Sequence, residues 1–279
     1  MTTSLLSVLL AAAAAPATAA QFEQTPDGSK LVRIEALADQ DGVRAGERVR
    51  VLVHFAIERG WHTYWANAGD SGLPTKLAVK APDGFEVGPQ RFSTPMRHEL
   101  PGEIVDYVHE NEQIVWFELT APKNAAPGIA KLTIEARWLV CIDVCLPGSG
   151  ETELEIPIFA EGRAPKAIES DTLKRWRALL PRPASALQGL TARWTPGDEL
   201  ALELSVAGAH DLEWFPYRDD RLHMTARTTN DARLRAQFEI EAGDGAAPRV
   251  ARGVLRVRTD KLTHAYELEF PLPDGAREH

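Results

Sequence analysis

Residues 132–138 read Leu132-Thr133-Ile134-Glu135-Ala136-Arg137-Trp138, in which apolar and polar side chains alternate without a break. This period of two places the apolar residues on one face of a β-strand, as in antiparallel sheets that cover a core on one side. Similar alternation recurs at residues 48–53, 153–158, 200–204, 254–257 and 266–270. The 20 glycines and 19 prolines disfavour long helices. The sequence therefore predicts an all-β protein.

The strand patterns form two groups with one helical segment between them. We predict a sandwich of short strands over residues 21–162 and a second β-sandwich domain over residues 184–279. The linker between them, residues 163–183, is predicted to carry a short helix. Apolar residues recur there at helical spacing, Ser170 can cap the N-terminus, and Pro181 would end the helix.

The first 20 residues are predicted to be a signal peptide. Leu5–Ala15 is an apolar run of the length found in secretory signals, and Ala17-Thr18-Ala19 fits the small-residue cleavage pattern. Met1–Ser4 contains no Lys or Arg, which is atypical of such signals. The apolar run is too short to span a bilayer, and no later segment reaches that length. We therefore expect an exported protein that does not span the membrane.

Charge and cysteine content exclude several functional classes. The chain has 31 Lys and Arg against 40 Asp and Glu, a formal net charge of −9. This acidic balance gives no overall electrostatic attraction to nucleic acids or anionic lipids, so no nucleic-acid partner is expected. Only two cysteines are present. That number excludes a disulfide-rich scaffold and a zinc site made of four cysteines from one chain.

The two cysteines flank a tight connection, Cys141-Ile142-Asp143-Val144-Cys145, directly after the alternating strand. Cys141 falls on the face opposite to the apolar residues. A disulfide here could be structural, as in many exported proteins. A loop of about five residues would contribute only about 2 kcal/mol, however, which favours thiol–disulfide exchange over a structural role. The spacing is not C-x-x-C and no βαβ pattern surrounds it, so we do not expect a thioredoxin fold.

Three histidines could in principle join the cysteines as ligands of a soft metal: His62, His98 and His109. Their spacing matches no known metal-binding pattern, so we predict no metal site and no bound cofactor.

Two further segments are open to more than one interpretation. Gly69-Asp70-Ser71-Gly72 is similar to the nucleophile segment of chymotrypsin-like proteases, but the chain before it is too short for that fold, and a simple turn is favoured. Trp214-Phe215-Pro216-Tyr217 is either an exposed aromatic cluster or the edge of a sandwich.

Four segments together resemble one known family, the periplasmic N-terminal domain of DsbD-type thiol:disulfide interchange proteins, and especially its ScsB-like branch, which is associated with copper tolerance. The resemblance covers about residues 25–160 closely, and residues 213–217 look like the second β domain of that branch. The four segments occur in the family's order: Gly60–Trp65, Gly69–Pro74, Val105–Tyr107 and Trp138–Pro147.

The resemblance implies an immunoglobulin-like β-sandwich with a redox cysteine pair at one end. Such domains take electrons from a membrane-embedded thiol–disulfide relay and pass them to periplasmic thioredoxin-fold proteins. By this resemblance Cys145 is the attacking cysteine and Cys141 the resolving one. Residues 106–109 correspond to a cap loop over the pair. The implied cap-loop and site-lining residues are Asp106, Tyr107, His109, His62 and Tyr64.

The chain departs from the family pattern in two respects. Its cysteine spacing is shorter than in the best-known members, and it ends at His279 without a relay or a thioredoxin-like domain. We therefore keep an alternative of another class. In that alternative the protein is a non-enzymatic binding module, either copper-handling or a structural sandwich with an inert disulfide.

Overall fold

The computed structural model describes residues 27–195, 200–230, 232–243, 248–273 and 276. The predicted signal peptide, residues 1–20, lies outside the described residues.

Within the described residues the chain forms twenty β-strands and one α-helix. In the N-terminal part the strands are β1 (Val32–Ala38), β2 (Val43–Arg44), β3 (Arg48–Ile57), β4 (His62–Gly69), β5 (Lys76–Lys80), β6 (Glu86–Val87), β7 (Arg91–Phe92), β8 (Met96–Leu100), β9 (Ile104–Glu110), β10 (Glu112–Thr120), β11 (Gly128–Cys141) and β12 (Cys145–Phe159). Helix α1 (Asp171–Ala178) follows. The remaining strands are β13 (Arg182–Pro183), β14 (Leu190–Thr195), β15 (Leu200–Val206), β16 (Asp211–Pro216), β17 (Leu222–Asn230), β18 (Arg233–Ile240), β19 (Val250–Arg258) and β20 (Thr263–Pro271).

The N-terminal strands form two sheets that share one core. One sheet has the order β1-β3-β10-β6, with β7 also paired to β10, and the other has the order β2-β12-β11-β4-β9-β8, with β5 paired to β11. The core contains Phe55 and Phe117 from the first sheet and Leu132, Ile134 and Trp138 from the second. The apolar face predicted for residues 132–138 is thus the buried face of β11, and the all-β sandwich prediction is confirmed.

Helix α1 packs against the outer face of the first sheet. Ser170 caps it, because its Oγ accepts a hydrogen bond from the backbone N–H of Leu173 at 3.1 Å. Leu173 and Trp176 are buried with Leu52 and Ile114, which point away from the sandwich core. The predicted linker helix is therefore present. No helix in the described part of the chain has the length and apolar character that a membrane crossing requires.

The C-terminal strands form two further sheets of four strands each, β13-β20-β19-β16 and β14-β15-β18-β17. Their shared core includes Leu204, Trp214, Leu234, Leu255 and Leu268. This arrangement agrees with the predicted second β-sandwich. The domain limits at residues 162, 183 and 184 stay a prediction.

The aromatic segment 214–217 lies at the edge of a sheet and is not exposed. It ends β16, the last strand in its sheet order. Trp214 belongs to the C-terminal core, whereas Phe215, the next residue, belongs to the N-terminal core. The edge interpretation is correct and the exposed-cluster interpretation is wrong, because strand alternation buries the two neighbours in different cores.

The alternation of β11 predicts how its residues contribute to stability. Replacing fully buried Leu132 by Ala should lower the free energy of unfolding by about 2–5 kcal/mol, through lost apolar burial and a residual cavity. Ile129, in the same strand, is 64% exposed, and Ile129→Ala should change the same quantity by no more than about 0.5 kcal/mol. Urea unfolding measures both, and equal losses would contradict the assignment of the buried face.

Candidate functional site

The two cysteines are joined at the end of a long hairpin. Cys141 is the last residue of β11, Cys145 is the first of β12, and the two are direct partners in the register of the antiparallel pair. Their sulfurs form a disulfide, and their Cα atoms are 4.2 Å apart. Residues 142–144 make the connection. The hairpin therefore positions the disulfide through the pairing of two strands that also build the sandwich.

The two cysteines differ in exposure. Cys141 is 2% exposed, whereas Cys145 is exposed at the start of β12. The side chains of Tyr64, Ala68 and Val108 are buried together with Cys141, and we call these three residues the cover of Cys141. A protein thiol that approaches this site therefore meets Cys145 first.

The hydroxyl of Tyr64 lies beside both sulfurs. Its hydroxyl donates a hydrogen bond to Cys141 Sγ at 3.3 Å and lies 3.6 Å from Cys145 Sγ. Burial raises the pKa of Tyr64, and the negative charge of Asp106 raises it further. The hydroxyl therefore remains protonated at neutral pH and can donate to a sulfur that becomes negatively charged.

The segment 69–72 holds Tyr64 in place. Gly72 has a φ of +72°, and a Cβ at this position would lie 2.2 Å from the ring of Tyr64. Only glycine allows the backbone this close to the ring in this conformation. The backbone N–H and the hydroxyl of Ser71 both donate to the carboxylate of Asp106, at 2.8 and 2.6 Å. The segment is thus a structural turn, in agreement with the simpler of the two interpretations of its sequence.

His62 completes the buried side of the site. It pairs with Cys141 in the register between β4 and β11, and it is buried. Its ring meets Tyr64 edge to face at 5.5 Å and His98 at 5.2 Å. Burial lowers the pKa of His62 and the neighbouring His98 lowers it further, so the ring is neutral at pH 7. A neutral His62 adds no charge beside the disulfide.

The predicted cap loop, residues 106–109, is part of strand β9 and not a loop. It pairs with both β4 and β8, and these long-range pairings bury a segment whose polar composition suggested a solvated loop. In a strand only alternate residues share a face. Asp106 therefore lies on the disulfide side, whereas Tyr107 and His109 face the other way.

Tyr107 and His109 do not line the disulfide. Tyr107 packs edge to face against Trp65 at 6.2 Å and against Phe215 at 5.5 Å, within the N-terminal core. Burial raises the pKa of Tyr107 to about 12 and lowers that of His109 to about 3, so both are neutral at pH 7. The structure thus brings together five of the predicted site residues, which are Cys141, Cys145, His62, Tyr64 and Asp106.

Several residues of the site were not predicted. Ala68 and Val108 cover Cys141, and Gly72 supports Tyr64. Alternation from Asp106 would have placed Val108 on this face, because both belong to β9. The sequence has no local signal for Ala68, because the register of the pairing between β4 and β9 shifts between Tyr64 and Gly69. Gly72 belongs to a segment that the sequence predicts to be a turn, but its contact with the ring of Tyr64 was not predicted.

Three apolar side chains, two of them between the cysteines, are exposed to solvent. Ile142 and Val144, between the cysteines, are 52% and 61% exposed. Leu73 is 62% exposed and lines an open groove of about 590 Å³ together with Leu139 and Pro147. Exposed apolar residues grouped in this way are typical of surfaces that contact another protein.

The described residues contain no group of three or more His, Cys, Asp or Glu arranged to hold a metal ion. His62 and His98 are adjacent, but His109, the third proposed ligand, faces away from them.

Part of the chain matches a known protein family. Residues 34–157 match the family of the N-terminal domain of the thiol:disulfide interchange protein DsbD, so the resemblance inferred from the sequence is confirmed. No curated protein matches the chain by sequence.

Three solved structures are similar to the chain. The N-terminal periplasmic domain of ScsB from Proteus mirabilis has 13% identity and a TM-score of 0.55, covering 89% of this chain and 97% of that one. This match supports the fold across both sandwiches. The reduced N-terminal domain of DsbD from Neisseria meningitidis has 21% identity and a TM-score of 0.30, covering 53% and 97%. A complex of the DsbD and PilB N-terminal domains from the same organism has 20% identity and a TM-score of 0.25, covering 49% and 88%.

The contact between Tyr64 and Cys141 predicts a change in the rate of disulfide reduction. In Tyr64→Phe, the thiolate that leaves on Cys141 loses a hydrogen-bond donor, so reduction by dithiothreitol should slow about tenfold. Tyr107→Phe is the matched control, because it removes the same hydroxyl from the opposite face of the adjacent strand. Gel-shift assays of the free thiols measure both rates. Equal rates for Tyr64→Phe and the wild type would contradict the proposed contact.

Proposed function

We propose, because residues 34–157 match the family of DsbD N-terminal domains, that this protein exchanges its Cys141–Cys145 disulfide with other proteins. One observation carries the proposal. The disulfide has one accessible cysteine, Cys145, and one buried cysteine, Cys141, that accepts a hydrogen bond from Tyr64. An inert cross-link needs neither the unequal exposure nor the buried hydroxyl.

The first half of the exchange reduces the pair. A thiolate of an electron donor attacks Cys145 Sγ in line with the disulfide and forms a new S–S bond with it. The Cys141–Cys145 bond breaks and its electron pair remains on Cys141 Sγ, where the hydroxyl of Tyr64 stabilises the negative charge. A second thiol of the donor then attacks the donor sulfur that is bonded to Cys145, and Cys145 leaves as a thiolate. The donor leaves oxidised, and both cysteines are reduced.

The second half passes the two electrons on. The Cys145 thiolate attacks the disulfide of an acceptor, forming a mixed disulfide and releasing one acceptor thiolate. Cys141 then attacks Cys145 Sγ, which restores the intramolecular disulfide and releases the second acceptor thiolate. Cys145 is thus the attacking cysteine and Cys141 the resolving one, as the family resemblance implies.

The surface around the disulfide fits a protein acceptor. Ile142 and Val144, between the two cysteines, are exposed apolar residues, and a small interface suffices for partners that must separate after each transfer. We propose periplasmic thioredoxin-fold proteins as acceptors, because their own cysteine pairs lie at a surface. The acidic chain gives no reason to propose a nucleic-acid partner.

The electron donor is proposed to be a membrane-embedded thiol–disulfide relay. Two cysteines hold one electron pair, so each turnover requires reduction by another protein. We propose that the chain works in the periplasm after removal of residues 1–20, where cytosolic reductants do not reach it directly. A relay protein with its own cysteine pair would supply the electrons.

Trapping of the mixed disulfide tests the proposal. In Cys141→Ser the resolving thiol is absent, so Cys145 should accumulate a covalent complex with a periplasmic thioredoxin-fold protein or with a membrane relay. Non-reducing gels of the native host, followed by identification of the partner, measure this complex. The double variant Cys141→Ser/Cys145→Ser should form none. Monomer alone in both Cys141→Ser and Cys145→Ser would refute the exchange proposal and favour a binding module.

A further inference from the structure

The C-terminal sandwich contacts the site strands from behind. Residues 215–217 at the end of β16 reach the N-terminal core, and Phe215 is fully buried there. The ring of Tyr217 stacks on Trp65, with 4.9 Å between centroids and an interplanar angle of 24°. Phe215 meets Tyr107 edge to face at 5.5 Å. The backbone oxygen of Pro216 accepts a hydrogen bond from Asn67 Nδ2 at 2.9 Å.

The residues held in this way are the chain neighbours of the cover of Cys141. Trp65 follows Tyr64, Asn67 precedes Ala68, and Tyr107 precedes Val108. Neighbouring residues of a strand point to opposite faces. Tyr64 and Val108 therefore each have, directly behind them, a side chain that contacts residues 215–217, and Ala68 follows Asn67, which binds Pro216.

The contact at Asn67 lies in the part of β4 that has no regular pairing with β9. The pairing of β4 with β9 is interrupted between Tyr64 and Gly69, so no regular ladder fixes this stretch. Asn67 stands within it and connects it in two directions. Its amide nitrogen binds Pro216, and its Oδ1 accepts from the backbone N–H of Gly69 at 3.1 Å. The C-terminal sandwich thus replaces part of the missing strand pairing.

We infer that the C-terminal sandwich determines which cysteine can react: residues 215–217 hold the cover of Cys141 closed, so that exchange enters and leaves through Cys145. The functional importance of this selectivity between the two cysteines rests on the proposed function. The difference in reactivity between Cys141 and Cys145 is itself measurable on the chain alone. Phe215 and Tyr217 are positioning residues, because they contact neither sulfur and act through Trp65 and Tyr107.

Alkylation of single-cysteine variants tests the inference without any partner protein. Cys145→Ser leaves Cys141 as the only thiol, and Cys141→Ser leaves Cys145. In the Cys145→Ser background, Phe215→Leu should raise the rate of iodoacetamide alkylation about five- to tenfold, as expected from the loss of the two aromatic contacts that Phe215 makes with Tyr107 and Trp65 behind the cover. In the Cys141→Ser background, the same substitution should change the rate less than about twofold, because Cys145 is already exposed.

Phe270→Leu is the matched control. Phe270 is buried in the C-terminal core, where its ring centroid lies 5.6 Å from that of Trp214. It should leave both alkylation rates unchanged. An unchanged Cys141 rate in Phe215→Leu would overturn the inference. An equal rise in Phe270→Leu would also overturn it, because the effect would then be general destabilisation.

Two further measurements keep the test decisive. If circular dichroism shows that Phe215→Leu does not fold, Tyr217→Leu replaces it, since this variant removes the stack on Trp65 from a partly exposed position. The trapping experiment with Cys141→Ser is independent of these rates. If Phe215→Leu raises only the Cys141 rate but no complex is trapped, the inference is supported and the proposed exchange is refuted. If a complex is trapped but Phe215→Leu does not raise the Cys141 rate selectively, the exchange is supported and the inference is refuted.

Discussion

The side chains of a β-strand alternate between its two faces. In this protein the alternation in β4, β9 and β11 places site residues on one face and core residues on the other. On one face these strands carry Tyr64, Val108 and Cys141, and the first two are buried against this cysteine of the disulfide. On the other face they carry Trp65 and Tyr107, which are part of the hydrophobic core. The site therefore lies on the reverse side of the core, and the core packing behind it supports its geometry.

Because only one sulfur of the disulfide is buried, an incoming thiolate attacks the other one. A symmetric, fully exposed pair could be attacked at either cysteine, and a fully buried pair could not be attacked at all. Here Cys145 is exposed, whereas Cys141 is enclosed by apolar side chains and a single hydroxyl donor. A charge that forms on Cys141 during exchange is costly in such surroundings unless a hydrogen bond compensates it. The hydroxyl of Tyr64 supplies that bond, which makes its position as important as that of the sulfurs.

Much of the fold could be predicted from local patterns. Alternation identified β11 and placed Cys141 off the core face, and helical spacing after Ser170 identified α1. Both features depend on short stretches of sequence. The site was predicted less completely, because its details depend on pairings between distant strands.

Residues 106–109 show why the site was predicted less completely than the fold. Asp106 and His109 are polar, and polar segments between strands are usually solvated loops. Here pairing with β4 and β8 buries the segment, and Asp106 is satisfied by Ser71, 35 positions away in the chain. The role of Phe215 could not be predicted either. Its neighbour Trp214 has similar chemistry, and only the packing of one sandwich on the other sends the two rings into different cores.

The central claim is that the Cys141–Cys145 disulfide is exchangeable and not merely structural. Its redox equilibrium with glutathione, measured on the purified chain, tests this claim most directly. Structural disulfides typically have reduction potentials below about −300 mV, whereas accessible ones are more oxidising. The accessible Cys145 predicts a potential above that boundary, together with reduction by a thioredoxin-fold protein. A potential well below it, with resistance to such proteins, would show that the disulfide is a structural cross-link.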